Sequence, residues 1–203
     1  MPEPTPKPRD ALDWNGVLAE QLEWHWNHHL RRRFEGLTDE EYLWEPVRGC
    51  WSVRPRGTHG PEADGAVQLG AGPFVLDYAD PEPVPAPVTT IAWRIAHLVV
   101  GVFGQRNASH FGGPAMDYAG HRYAGTAAEA LDQLEEAHAR WRDGVADLGA
   151  EGLLRRCGPA EGPYAEASLA ELVVHINREA IHHGAEICLL RDLYAHTGHH
   201  GAR

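Results

Sequence analysis

Apolar residues return at helical spacing along four long stretches of the chain. In the first, Asp10 or Asp13 can cap a helix running to about Glu35, with Trp14, Leu18, Leu22, His25 and His29 on one face and Gly36 as the stop. The second, TIAWRIAHLVVGVFGQRNASHF, takes a threonine cap from Thr89 or Thr90 and breaks at Gly112-Gly113-Pro114. The third follows Thr126 and carries Ala130, Leu134, Ala137, Trp141 and Val145 as an apolar stripe with charges opposite, closed by Gly149. Ser168 and Glu171 form a capping-box pattern for the fourth, LAELVVHINREAIHHGAEICLLRDLY.

The connecting segments are unequal. Thr38-Asp-Glu-Glu41 opens a short helix that Pro46 stops, ahead of the turn GCWSVRPRG. Residues 57–87 are rich in Gly, Pro and Asp, with FVLDY as the one short strand signal, and read as a loop insertion or lid. These signals predict an all-α chain: a four-helix bundle with a long crossover between the first and second long helices, spanning residues 10–195 as one domain. A helical domain carrying a small hairpin in the insertion is the alternative. Residues 1–9 read as a disordered leader and 196–203, with His196, His199 and His200, as a flexible tail.

Composition narrows the function. The 203 residues are 43% hydrophobic and 23% charged, and a chain of this size buries about 70% of its unfolded surface, so it needs no metal or disulfide merely to fold. Twenty-nine acidic against 18 basic side chains give a charge of -11 with no basic stripe, which argues against nucleic acid. No apolar run approaches the roughly 20 residues of a membrane span, and a cytoplasmic protein is expected. The three cysteines, Cys50, Cys157 and Cys188, form no Cys-x-x-Cys pair. The unusual count is 14 histidines.

Some of those histidines fall where apolar residues belong. On the last helix Leu172, Ile176, Ile187 and Leu190 lie within about 60° of one another, and Glu179 and His183 share that sector one turn apart, able to reach a single ion. A carboxylate in a dry interior is costly unless paired or coordinating. On the second helix Trp93, His97, Val100 and Gly104 share a face, so His97 also points inward. Two His and one Glu with an open fourth position is the composition of a catalytic zinc site. His175, Glu179, His182 and Glu186 lie at neighbouring angles, so rotation of the helix by about 50° would bring in His182 or His175 instead. His25 and His29 form a further one-turn pair, read as lining a cavity above the ion. His25, His29 and Asn177 are candidates to orient the ligating imidazoles, and Arg94 to bind a substrate or thiol carboxylate. Trp93 and His182 complete the set of site candidates.

TTIAWRIAHLVVGVFG and HINREAIHHGAEICLLRD, with GLTDEEYLWEPVRGCWSVR between the first two long helices, resemble the DinB-like superfamily of four-helix metalloproteins over nearly the whole chain. Many members use three histidines; Glu179 stands at the middle position here. A His-Glu-His set resembles the branch containing the N-terminal domain of mycothiol-dependent maleylpyruvate isomerase, and implies His97, Glu179 and His183 as metal ligands. The resemblance further implies a divalent ion, zinc or else nickel, a low-molecular-weight thiol such as mycothiol, and a homodimer. The isomerase has a further C-terminal domain, and this chain ends soon after its fourth helix. The expected activity is therefore S-transfer between a small-molecule thiol and an electrophile, the metal activating the thiolate; a non-catalytic metal-binding or small-ligand-binding module is the alternative.

Overall fold

A computed structural model describes residues 12–60 and 65–197; the leader at 1–9, the alternative cap Asp10 and the tail histidines His199 and His200 lie outside the described residues. The chain is mostly helical. The first long helix runs Trp14–His25, widens to a π-helical Trp26–Leu30 and ends as Arg31–Phe34. The second runs Ile91–His97, a π-helical Leu98–Gly104 and Gln105–His110. The third is Ala127–Ala146 and the last Leu169–His196, which carries His196 into the helix instead of the tail. The first and second long helices each pack against both the third and the last. Among the described residues no helix is long and apolar enough to cross a membrane.

Caps fix where these helices begin. Asp13 accepts from the Gly16 N–H, Thr90 from Trp93 and Thr126 from Glu129, and Ser168 with Glu171 closes a reciprocal capping box. Thr38 caps the short helix Asp39–Tyr42 by accepting the Glu41 N–H. Only half of the expected box forms there. The Glu41 carboxylate instead grips the Arg191 guanidinium at 2.6 and 3.0 Å, tying the start of the short helix to the end of the last one.

The first helix buries a different face from the one its spacing suggests. Leu22, Trp26, Leu30 and Phe34 are in the core, whereas Trp14 and His29 are exposed. The wider i→i+5 turn at 26–30 keeps Trp26 and Leu30 in line behind Leu22 and turns His29 outward. On the third helix, His138 is buried alongside Leu134 and Trp141, its ring stacked on Trp26 at 3.7 Å and 5°.

The insertion corrects the all-α expectation. Val53–Pro55 (β1), Val67–Leu69 (β2) and Phe74–Tyr78 (β3) form an antiparallel sheet of order β1-β3-β2, with Val53 opposite Leu76 and Val67 opposite Tyr78. Val75 and Leu76 reach the core. Asp77, also buried, would be costly there unpaired, but its carboxylate accepts from the Ser52 N–H, Arg54 Nε and Gln68 Nε2 at 2.8–3.1 Å. One buried acid thereby locks all three strands against the second helix.

Candidate metal centre

His97 closes the first segment of the second long helix, immediately before the backbone widens into its π turn. Its ring is held on one face by an indole and at one edge by a phenol. Trp93, one turn earlier, stacks on it at 5.2 Å and 14°, and Tyr118 lies nearly parallel at 6.4 Å. Trp93 is anchored in turn, its indole N–H donating to the Asp77 carbonyl at 2.8 Å. The Tyr118 hydroxyl sits 2.8 Å from His97 Nδ1, and Tyr78 at the end of β3 packs on the Tyr118 ring. Gly101 makes this approach possible: a Cβ there would lie 2.1 Å from the Tyr118 hydroxyl and 3.1 Å from the His97 ring.

His183 meets His97 edge-on from the last helix, ring centroids 4.8 Å apart and planes at 89°. Its Nδ1 is 2.7 Å from Glu186 Oε2 and 3.3 Å from Arg94 Nη1. One ring nitrogen cannot donate to the carboxylate and accept from a guanidinium together. The shorter, charge-assisted contact decides it, so Nδ1 carries the proton and donates to Glu186. Arg94 then pairs with that same carboxylate, Nε to Oε2 at 3.1 Å. With Nδ1 protonated, Nε2 presents a lone pair, and the group 3.6 Å away is Glu179 Oε2, another acceptor.

Burial sets the protonation states. His97 is pushed down to about 3 by desolvation first, with His183, Arg94 and Arg106 adding to it, so its imidazole is neutral at ordinary pH. Burial also lowers His183, against the pull of Glu186, and raises Tyr118 so that it stays a hydroxyl.

His183 therefore neighbours both His97 and Glu179, with Trp93 against His97 and Arg94 against His183. The group of His/Cys/Asp/Glu side chains whose ligand atoms all lie within 4.8 Å of one another, among the described residues, is His182, His183 and Glu186; Glu179 Oε2 is 3.6 Å from His183 Nε2, but His97, Glu179 and His183 do not all close to within 4.8 Å of one another. His182 is exposed, with Nε2 3.5 Å from Glu186 Oε1. His25 and His29 do not line this site. Their rings lie 5.4 Å apart, tilted by 30°, and line a groove with Ala185, Cys188 and Leu189, on another flank of the last helix. Asn177 serves packing: its amide donates to the Leu18 carbonyl and accepts from the Trp141 indole, joining three helices. Arg94 supports His183 through Glu186 where a substrate-binding role was expected. Tyr118 and Gly101 had no local sequence signal. Glu186 had one, as the residue one turn past His183, but its contact is to the imidazole's outer nitrogen.

The family model of the DinB superfamily matches residues 21–187, a span that takes in every residue of this cluster and the sheet behind it. No curated protein and no solved structure matches the chain.

Proposed function

This chain belongs to the DinB superfamily, and from that premise we propose that it is a metal-dependent thiol S-transferase built on a four-helix bundle, with its ion on His97, Glu179 and His183. One observation carries the ligand set. His183 Nε2, whose lone pair is freed when Nδ1 donates to Glu186, faces Glu179 Oε2 at 3.6 Å, beyond a direct hydrogen bond. Two ligands of a tetrahedral zinc, each about 2.1 Å from the ion, stand about 3.4 Å apart, so a shared cation suits this gap.

The His182-His183-Glu186 group suits an ion less well. Its His182 Nε2 and Glu186 Oε1 are 3.5 Å apart, but His182 is exposed and the other Glu186 oxygen is already held by His183 Nδ1 at hydrogen-bond distance, 2.7 Å. Glu186 is also engaged by Arg94.

The side chains around the proposed ligands supply orientation. Glu186 accepts the Nδ1 proton of His183 and fixes the tautomer that offers Nε2, and Arg94 balances the Glu186 charge. The Tyr118 hydroxyl at His97 Nδ1 and the Trp93 ring set the plane of the other imidazole. A bound divalent cation, zinc before nickel for two imidazoles and a carboxylate, would hold a thiol as its thiolate at neutral pH. The co-substrates in this reading are a small thiol such as mycothiol and an electrophile, and the working unit is a cytoplasmic homodimer.

Metal analysis of gently purified protein tests the centre: His97→Ala, Glu179→Gln and His183→Ala each lose most of the ion, and His182→Ala keeps it. Unchanged metal content in His183→Ala overturns the ligand set. Activity is read as mycothiol- or glutathione-dependent consumption of a panel of electrophiles. Tight metal binding with no thiol-dependent turnover would reduce the reading to a metal-binding module.

A further inference from the structure

The strongest uncommitted feature is a cavity of about 560 Å³ walled by Arg106, Cys157, Tyr164, Leu172, His175 and Arg178. Its size is that of a small-molecule site, and most of its lining is apolar. It adjoins the proposed centre from both sides. On the last helix, His175 and Arg178 approach Glu179 Oε1 at 3.7 and 3.5 Å, while Oε2 of the same carboxylate faces His183. On the second helix, Arg106 donates to the carbonyl of Gly101, the residue that lies against His97 and Tyr118.

The cavity brings two guanidinium groups from different helices to an otherwise greasy space, and neither is fully matched by a carboxylate. Glu161 divides its oxygens, one to His110 Nε2 at 3.0 Å and the other to Arg106 Nη2 at 3.2 Å, so Arg106 has a single-point ion pair and its Nε has no hydrogen-bond partner. Arg178 donates to His175 Nδ1 at 2.6 Å and reaches Glu179 only at 3.5 Å. The remaining lining carboxylate, Glu171, is occupied by the Ser168 N–H and hydroxyl at the helix cap. Both guanidinium groups therefore keep positive charge that the carboxylates around them do not fully meet, and such a charge beside an apolar space favours a carboxylate ligand.

We propose that this cavity binds an organic acid with an apolar body, its carboxylate held by Arg106 and Arg178 and its other end directed toward Glu179 and His183. The directed end rests on the S-transferase reading above; the carboxylate pocket does not. His175 stands one helical turn, about 5.4 Å, from Glu179, so a ligand with a spacer of a few carbons between its carboxylate and its reacting end spans the distance.

The test compares 4-phenylbutanoate with its neutral amide by calorimetry on the purified protein, with metal content measured in every sample. The acid is expected to bind at least tenfold more tightly than the amide. Arg106→Gln and Arg178→Gln should each erase most of that preference at unchanged metal content. Equal binding of acid and amide overturns the proposal, and so does a preference that survives both substitutions, because the acid would then be sitting on the ion. Arg106 also braces Glu161 and Gly101, so Ala160→Phe, which fills the mouth from an exposed turn and leaves both arginines intact, is the second variant; it must weaken both probes at least tenfold, and unaltered binding overturns the assignment. A protein that holds no metal yet keeps the arginine-dependent preference would sink the S-transferase reading and leave the carboxylate site standing.

Discussion

Gly101→Ala puts the packing around His97 to a quantitative test, because two opposing effects act at one position. Replacing a helical glycine with alanine ordinarily stabilises by about 1 kcal/mol. Here the added Cβ would lie 2.1 Å from the Tyr118 hydroxyl and 3.1 Å from the His97 ring. Ordinary heavy-atom contact needs about 3.5 Å, so the hydroxyl must retreat by more than about 1 Å. A retreat of that size breaks its 2.8 Å bond to His97 Nδ1, a net loss of about 1 kcal/mol, on top of about 1–3 kcal/mol for overpacking. The losses exceed the helix gain, and the variant should be destabilised by about 1–3 kcal/mol, lowering Tm by about 2–12 °C in a chain of this length. Tyr118→Phe removes the oxygen that clashes, so adding Gly101→Ala to that background should be close to neutral. The double-mutant cycle, read by urea and thermal unfolding, should show a coupling of about 1 kcal/mol or more. An equal cost in both backgrounds, or stabilisation of the otherwise unaltered protein, would refute the idea that Gly101 is kept bare for Tyr118.

Two further outcomes follow from buried charge. Glu41→Ala leaves the Arg191 guanidinium facing a void in place of its bidentate partner and should cost about 3 kcal/mol in urea unfolding; a loss under about 1 kcal/mol would mean that the pair is solvated. His138 is held neutral by burial, its pKa lowered to about 3 with Arg142 and Arg31 adding to the effect and Asp143 opposing it. The unfolded chain, with a histidine near 6.5, takes up a proton first on acidification, so the stability conferred by a neutral His138 is complete above about pH 6.5 and is lost as pH falls from there toward 3. Glu23, 2.9 Å from His138, is raised by burial and works in the opposite sense, nearer the carboxylate range. Urea unfolding at pH 7 and 5.5 should therefore show His138→Phe losing less stability on acidification than the parent, by about 1 kcal/mol per pH unit; parallel losses would refute it.

What the sequence disclosed depended on how local the cause was. Helix starts were legible because a cap is a contact three residues long: Thr90, Thr126 and Ser168 each meet a backbone N–H within one turn. The inward sector of the last helix was legible for the same reason, since Glu179 and His183 lie one turn apart on a regular α-helix. Where the backbone departs from that period, angular reasoning misplaced side chains, as when the π turn at 26–30 sent Trp26 and Leu30 inward and left His25 and His29 in a separate groove. Of the sheet, FVLDY was legible as a strand and is β3; β1 and β2 escaped notice because they are three residues each, too short for alternation to emerge, and because the sheet's cohesion comes from Asp77 binding partners 9 to 25 residues away. Tyr118 belongs to the same class: nothing in its own loop announces a contact to His97, 21 residues earlier.

That contrast separates the two histidines of the centre. His183 is oriented by its own helix, through Glu186 three residues on, with Arg94 and the edge-on His97 ring meeting it from the second helix. His97 is oriented by Trp93, Tyr118 and the gap at Gly101, and both aromatic rings are themselves held by β3, Trp93 through the Asp77 carbonyl and Tyr118 through Tyr78. Asp77 is fixed by β1 through Arg54 and by β2 through Gln68. The chain of contacts therefore runs from all three strands through one residue to the plane of the His97 ring. A lid would need few and weak contacts to the helices, so that it could open cheaply. Swinging this sheet away would instead break the indole hydrogen bond and the Tyr78–Tyr118 packing, and would uncover the buried Asp77–Arg54 pair. Its geometry is that of a buttress: the insertion holds an imidazole in position for a centre whose other half the last helix can organise by itself.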